Sequence, residues 1–185
     1  MDTTDQLYRL VRLVVWLPLI LLVTAGCEIG DLGGTQRGYE PVQPIAYSHK
    51  VHAGDYKMAC LYCHYAAERG RHAGVPAASL CMNCHTQVKK DSPEVQKLAA
   101  AVESDTPIQW VRVHRFPAHS HFNHARHVAG GELKCQTCHG PIETMDRVRQ
   151  EHDMTMGFCL DCHRQTAQRV ATAPAPSTDC TACHY

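Results

Sequence analysis

The stretch Cys60-Leu61-Tyr62-Cys63-His64 decides the fold of this 185-residue chain, because its C-x-x-C-H pattern occurs five times. Composition alone predicts about 0.05 such stretches, so five copies are not accidental. They contain every cysteine except Cys27. The other four copies are Cys81-Met82-Asn83-Cys84-His85, Cys135-Gln136-Thr137-Cys138-His139, Cys159-Leu160-Asp161-Cys162-His163 and Cys180-Thr181-Ala182-Cys183-His184.

The spacing of each copy is that of covalent haem attachment. Two thiols three residues apart on a helical turn reach both vinyl groups of one haem, and the next residue, a histidine, binds the iron. We therefore predict five covalently bound haem c groups. The attachment residues are Cys60, Cys63, Cys81, Cys84, Cys135, Cys138, Cys159, Cys162, Cys180 and Cys183, and the iron ligands are His64, His85, His139, His163 and His184.

Other uses of cysteine fit the pattern less well. A disulfide framework needs no histidine after every second cysteine, and zinc sites use paired clusters, which five cannot form. A thioredoxin-like redox motif occurs once, in a βαβ unit that is absent here. Lysines and arginines number 18, as do aspartates and glutamates, so charge-driven nucleic-acid binding is excluded as a first interpretation.

An internal repeat predicts the ligands on the other side of the irons. Tyr47-Ser48-His49-Lys50-Val51-His52 matches Phe122-Asn123-His124-Ala125-Arg126-His127 at an offset of 75 residues, and each precedes a haem motif by the same distance. Residues 47–85 and 122–163 are therefore two copies of a di-haem module. Histidines at i and i+3 share a helical face, so each pair serves two neighbouring haems. The predicted distal ligands are His49, His52, His124 and His127.

The distal ligand of the fifth haem is less constrained by the sequence. Our choice is His72, which lies between the first two motifs, with His114 and His152 in reserve. Met156 is the alternative that would give one His/Met haem. The sequence does not show whether His119 or His121 binds anything.

The remaining segments frame a haem domain at residues 47–185. With only 12 aromatic residues, we expect a mainly irregular fold of short α-helices whose core is packed by haem. Ser92, Pro93 and the face formed by Val95, Leu98, Ala99 and Val102 predict a linker helix over 92–104. The fifth motif, 180–184, follows a proline-containing spacer. Residues 28–46, rich in glycine and then proline, predict a flexible tether.

The first 27 residues carry a targeting signal. Arg9 and Arg12 precede an apolar run over 13–23 that is too short to span a bilayer. Ala25-Gly26-Cys27 resembles a bacterial lipobox, which makes Cys27 the lipidated residue of a signal/lipoprotein leader; the alternative is an uncleaved membrane anchor from about Leu7 to Ala25. Either predicts a bacterial cell membrane location with the haem domain on the periplasmic side.

Several segments together resemble the class III cytochromes c, including the cytochrome c7 type, and more closely the pentahaem cytochrome c subunit (ActA) of bacterial alternative complex III. The resemblance covers about residues 45–185. The segments that carry it are 48–52, 71–76, 81–85, Pro107-Ile108-Gln109-Trp110-Val111-Arg112-Val113-His114, 122–124, 135–141 and Met156-Gly157-Phe158-Cys159-Leu160-Asp161-Cys162-His163-Arg164.

The resemblance implies an electron carrier that is not itself an enzyme. It would belong to a quinol-oxidising membrane complex with an iron–sulfur/molybdopterin-like subunit and quinol-site membrane subunits, and would pass electrons to a cytochrome c or a terminal oxidase. The alternatives are a free-standing lipid-anchored shuttle serving a periplasmic reductase, and a reductase with one open haem. A zinc-binding or sensor protein is the remaining interpretation.

Overall fold

A computed structural model describes residues 35–169 and 175–185, all of which belong to one compact unit. The predicted leader over 1–27, Cys27, the alternative anchor and the first part of the predicted tether lie outside the described residues. In the described part of the chain, no helix is both long and apolar enough to cross a bilayer.

Short helices joined by irregular chain make up the fold. The α-helices of the described residues are α1 (Cys60–Cys63), α2 (Ala78–His85), α3 (Pro93–Glu103), α4 (His124–Val128), α5 (Gln136–His139) and α6 (Met156–Arg169). A π-helical turn (Lys50–Asp55) and three 3₁₀ turns (Tyr65–Glu68, Ile142–Thr144 and Cys180–Ala182) complete the set. Over residues 35–169 and 175–185 there is no β-strand. The predicted fold class, irregular with short helices, is confirmed.

Helix α3 is the longest helix between the two repeats, and its details differ from the sequence-based expectation. Pro93 opens the helix and Val95 and Leu98 are buried, as the pattern indicates. Ser92 makes no side-chain capping hydrogen bond, however. Val102 is 41% exposed, although it lies four residues after Leu98 on the same face. The buried part of this face, from Val95 to Leu98, is thus only about one turn long.

Residues 37–46, within the predicted tether, are hydrogen-bonded to the haem domain. The backbone N–H of Arg37 donates to Asp153 Oδ1 at 3.0 Å. The side chain of Gln43 exchanges two hydrogen bonds of 2.9 Å with the backbone of Val111, in the manner of a β-bridge. Ile45 is 5% exposed. Glycine and proline content predicts the lack of regular structure here, but it does not report these long-range contacts.

The packed interior of the described residues is small. Its buried apolar side chains are Ile45, Ala67, Val95, Leu98, Met145 and Met154. The only buried polar side chain among the described residues is that of Gln150, which accepts from the Arg115 N–H at 3.4 Å and donates to the His152 carbonyl at 2.9 Å. So few buried side chains form an unusually thin core for a chain of this length.

Candidate haem-binding site

Each of the five motif histidines faces the ring of one other histidine. The ring centroids of the pairs are separated by 6.4 Å (His49–His64), 6.1 Å (His52–His85), 6.4 Å (His124–His139), 6.1 Å (His127–His163) and 5.5 Å (His119–His184). The rings are too far apart to be in contact, yet they are held at nearly one distance. Such a gap indicates that something of fixed size lies between them.

An iron atom fits the gap. Two metal–imidazole bonds of about 2.0 Å, one to each ring, hold ring centroids roughly 6 Å apart. The pairs His49–His64 and His124–His139 are also nearly parallel, with interplanar angles of 7° and 3°. The residues present therefore fit bis-histidine haem iron at five places. Among residues 35–169 and 175–185, no group of three or more His, Cys, Asp or Glu is arranged to hold a metal ion.

Hydrogen bonds fix which nitrogen of each motif histidine faces its partner. Nδ1 of four of them lies within hydrogen-bonding distance of a backbone carbonyl, and a ring that donates from Nδ1 leaves Nε2 as the free metal-binding atom. The acceptors are Gly74 for His64 (2.7 Å), Val88 for His85 (2.9 Å), Ser177 for His163 (2.6 Å) and His119 for His184 (2.8 Å).

The histidines opposite them are oriented in the same way. Nδ1 of His52, His124 and His127 lies 2.9, 2.9 and 2.8 Å from the carbonyls of Ser48, Arg71 and Asn123. Nδ1 of His49 is buried without a hydrogen-bond partner. Three of the four repeat histidines thus present Nε2 to the motif histidine.

The two repeats have the same local geometry, as the 75-residue offset predicts. The ring of Tyr47 lies edge-on to His49 at 4.8 Å and stacks on His52 at 4.4 Å. In the second repeat, Phe122 makes the same two contacts with His124 and His127, also at 4.8 and 4.4 Å. The aromatic ring that begins each repeat therefore packs against both histidines, and each histidine faces a different motif histidine.

The third motif histidine has a different acceptor. Nδ1 of His139 lies 3.2 Å from Nε2 of His114, with the two rings edge to face at 4.4 Å. His114, a reserve candidate for the fifth distal ligand, therefore contacts the outer nitrogen of His139 and does not face a motif histidine across a gap. The sequence gives no signal for this contact, because the two residues lie 25 positions apart.

His119 stands where the sequence analysis chose His72. The ring of His119 stacks opposite the motif histidine His184, whereas His72 is exposed and makes no ring contact with a motif histidine among the described residues. His152 stacks on Phe158 at 5.4 Å. Met156 is 68% exposed. His119 lies just before the second repeat, but nothing in its spacing distinguishes it from the other histidines.

Burial keeps several of these imidazoles neutral, which is the form that binds iron. Burial, followed by the charges of neighbouring histidines, lowers the pKa of His49 to about 4 and that of His139 to about 3. Burial likewise lowers the pKa of His114 to about 4, with His124 adding to the effect. The pKa of His127 is lowered mainly by burial as well. At neutral pH these four rings therefore have a lone pair available on one nitrogen.

Thiol pairs at helical spacing and histidines paired across a gap of iron-ligand width together define a multihaem c-type cytochrome. Comparison with known proteins agrees. Residues 120–185 match the family model described as cytochrome c7 and related cytochrome c. The chain is also 31% identical over 163 residues to the "Menaquinone reductase, multiheme cytochrome c subunit" of Nitratidesulfovibrio vulgaris (strain Hildenborough), which covers 77% of this chain and 76% of that protein. The chain belongs to this family of cytochrome c7-related multihaem cytochromes c.

Membership of the family implies that haem c is bound covalently through motif cysteines. When bound, haem supplies an iron that changes between ferric and ferrous states by one electron. The motif cysteines would attach the porphyrin, and the paired histidines would hold the iron.

Proposed function

We propose that this protein is an electron-transfer subunit carrying five haem c groups, each with two histidine ligands. The observation that carries the proposal is the set of five histidine pairs, one for each C-x-x-C-H motif, with ring centroids 5.5–6.4 Å apart. The distal ligands are His49, His52, His124 and His127, as the repeat predicts, together with His119 in place of His72.

Two imidazoles on every iron leave no coordination position for a substrate. Such haems are closed, low-spin centres that exchange electrons without binding small molecules. The chain is therefore an electron carrier and not an enzyme by itself. Its residues act by keeping each ligand in place: the carbonyls that accept from Nδ1 fix the ring orientation, and this raises the basicity of Nε2 towards iron.

The proposed place of the carrier is a quinol-oxidising membrane complex. The relative from Nitratidesulfovibrio vulgaris is named as a subunit of a menaquinone reductase. That name gives electron flow towards menaquinone, so the relative supports a quinone-linked membrane complex but not the quinol-oxidising direction. The quinol-oxidising direction rests on the resemblance of residues 45–185 to the pentahaem subunit of alternative complex III, with an iron–sulfur/molybdopterin-like subunit and quinol-site membrane subunits as partners. The electrons would leave to a cytochrome c or a terminal oxidase. A free-standing lipid-anchored shuttle is the alternative.

The proposed location is the periplasmic face of a bacterial membrane. This rests on the leader pattern before Cys27 and on the chemistry of haem attachment, which takes place outside the cytoplasm. Mass spectrometry of the N-terminal peptide tests it. A lipid adduct on Cys27 supports the lipoprotein, an intact Met1 supports the anchor, and an unmodified cytoplasmic chain contradicts both.

Axial ligation is tested by a pair of matched variants. Near-infrared magnetic circular dichroism with low-temperature EPR counts His/His and His/Met haems in the purified holoprotein. We expect five His/His haems in the wild type. His119→Met should convert one of them to His/Met, while the control His72→Met should leave all five unchanged. Conversion by His72→Met instead, or an open high-spin haem in the wild type, would contradict the proposal.

Assembly is tested by purification in mild detergent. Co-isolation of the haem protein with large membrane subunits supports the quinol-oxidising complex, and reduction of its haems by a quinol in that preparation supports the direction of electron flow. Isolation as a single chain favours the shuttle.

A further inference from the structure

The contacts between the two repeats indicate the order in which the haems lie in space. We number the haems 1 to 5 by their motifs along the chain: haem 1 (60–64), haem 2 (81–85), haem 3 (135–139), haem 4 (159–163) and haem 5 (180–184). Within each repeat the order is set by the H-x-x-H helix. His49 and His52 face the motif histidines of haems 1 and 2. Because the two rings lie one helical turn apart, haem 1 must be the neighbour of haem 2. His124 and His127 make haems 3 and 4 neighbours in the same way.

The two repeats contact each other through equivalent surfaces. The N–H of Lys50 donates to the carbonyl of Met145 at 2.9 Å, and the N–H of Ala125 donates to the carbonyl of Gly70 at 3.0 Å. These four residues are related by the 75-residue offset, since position 50 corresponds to 125 and position 70 corresponds to 145. Each repeat therefore donates one of these two hydrogen bonds and accepts the equivalent one from the other repeat. This reciprocal pattern is that of two-fold packing.

The packed elements obey the same relation. The π-helical turn Lys50–Asp55 contacts the 3₁₀ turn Ile142–Thr144, and α4 contacts the equivalent 3₁₀ turn Tyr65–Glu68. The first contact is so close that a side chain at Gly54 would overlap the carbonyl oxygen of Glu143. The two modules are thus joined face to face, and not end to end in the order of the chain.

A two-fold interface brings equivalent groups together at its centre, and these are the thiols of haems 1 and 3. The side chains of Cys135 and Cys60, the residue 75 positions earlier, lie close enough to interact. Because thioether cysteines lie at the vinyl edge of the porphyrin, contact between these two cysteines places the edges of haems 1 and 3 side by side.

The other junctions follow from the remaining cysteines. The thiol of Cys81, of haem 2, lies near that of Cys63, of haem 1, in agreement with the facing histidines of the first repeat. In the equivalent contact, the thiols of Cys159 and Cys162, of haem 4, lie near that of Cys138, of haem 3. The thiol of Cys183, of haem 5, lies near that of Cys159, of haem 4.

A backbone contact supports the last junction. The motif histidine of haem 4, His163, lies with its Nδ1 2.6 Å from the carbonyl of Ser177, three residues before the fifth motif. The chain that carries haem 5 is therefore anchored on the ligand of haem 4.

From these contacts we infer that the haems form a single row in the order 2–1–3–4–5, with the two-fold axis between haems 1 and 3. The inference rests on the proposed five-haem electron carrier and adds the path that electrons take through it. Haem 2 and haem 5 are the two ends, one for the electron donor and the other for the acceptor. Haem 1, although first along the chain, is internal, so that the two outer haems are those whose motifs stand second and last. Each step moves one electron from a ferrous haem to the neighbouring ferric haem.

The order is tested by counting the magnetic neighbours of individual haems in the full-length holoprotein. Replacing a distal histidine by methionine raises the potential of that haem. On titration with dithionite the altered haem is therefore reduced first and becomes diamagnetic, while the others remain ferric. Ferric haems next to it then lose dipolar broadening in their EPR signals. The readout is the number of narrowed signals.

The two variants of the first repeat distinguish the orders. In the inferred row, His52→Met narrows one other signal and His49→Met narrows two. An arrangement in chain order gives the reverse, with one for His49→Met and two for His52→Met, and that result would overturn the inference. His124→Met and His127→Met are matched controls, because haems 3 and 4 have two neighbours in either order.

A variant that loses its haem cannot report the order, so a second measurement uses the wild type. Iron positions from anomalous scattering in a crystal should place the iron of haem 1 between those of haems 2 and 3. An iron of haem 2 lying between haems 1 and 3 refutes the order. Fewer than five low-spin haems in the wild type would instead count against the proposed function, so the two failures are distinguishable.

Discussion

Replacing His114 by alanine should raise the reduction potential of one haem, the one held by His139. Nε2 of His114 lies 3.2 Å from Nδ1 of His139, whereas the other four motif histidines place Nδ1 against a backbone carbonyl. Since burial lowers the pKa of His114 to about 4, the ring is neutral at pH 7 and accepts this hydrogen bond. It is the one acceptor of the set that a side-chain substitution removes.

The size of the effect follows from the role of the acceptor. An acceptor on Nδ1–H makes the imidazole a stronger ligand, and ferric iron gains more from a strong ligand than ferrous iron does. Loss of an outer-shell partner typically weakens a metal ligand 10- to 100-fold. If that loss falls on the ferric state, the potential rises by about 60 to 120 mV.

Potentiometric titration of the holoprotein, followed by EPR, measures the shift. In His114→Ala the reduction potential of one haem should rise, and the other four potentials should stay unchanged. In His114→Gln the amide oxygen is an acceptor, so the rise in potential should be smaller. His152→Ala is the control, because the ring of His152 stacks on Phe158 and makes no ring contact with a motif histidine among the described residues. The reasoning would be refuted if all five reduction potentials stay unchanged in His114→Ala, or if His152→Ala shifts a potential by the same amount.

Three further predictions concern stability, measured by thermal unfolding of the holoprotein. Gln150→Ala should cost about 1–3 kcal/mol, because it removes a buried amide that donates to the carbonyl of His152; a loss within about 0.5 kcal/mol, as at a surface position, would be evidence against this role. Gly54→Ala should cost about 1–3 kcal/mol, because a Cβ overlaps a carbonyl of the facing turn, while the control Gly70→Ala meets only ordinary contacts; equal costs would contradict the close packing. Glu94→Gln should lower the melting temperature at pH 7, because hydrogen bonds from a lysine and a backbone N–H lower the pKa of this carboxyl below 4.5. That stabilisation is present above the ordinary pKa and is lost as pH falls through the lowered one, so wild type and variant should converge in acid; a constant difference would argue against it.

The difference between the His119 and His72 expectations shows where sequence reasoning stops. His49, His52, His124 and His127 were identified because a repeat places each a fixed number of residues before its motif. The fifth motif has no repeat partner, and its facing histidine lies 65 residues earlier in the chain. Residues 37–46 illustrate the same limit, since their composition indicates irregular chain but not the hydrogen bonds to Val111 and Asp153.

By itself the sequence determined the class of this protein, a multihaem c-type cytochrome of short helices, because both thiols and one iron ligand lie within five consecutive residues. It also determined the existence of two like modules. Only the tertiary structure decided which histidine faces His184, that His114 contacts His139, and that the modules meet with Cys60 beside Cys135. The physical reason is that these contacts join residues far apart in the chain, and their formation depends on how the backbone of one repeat hydrogen-bonds to the other.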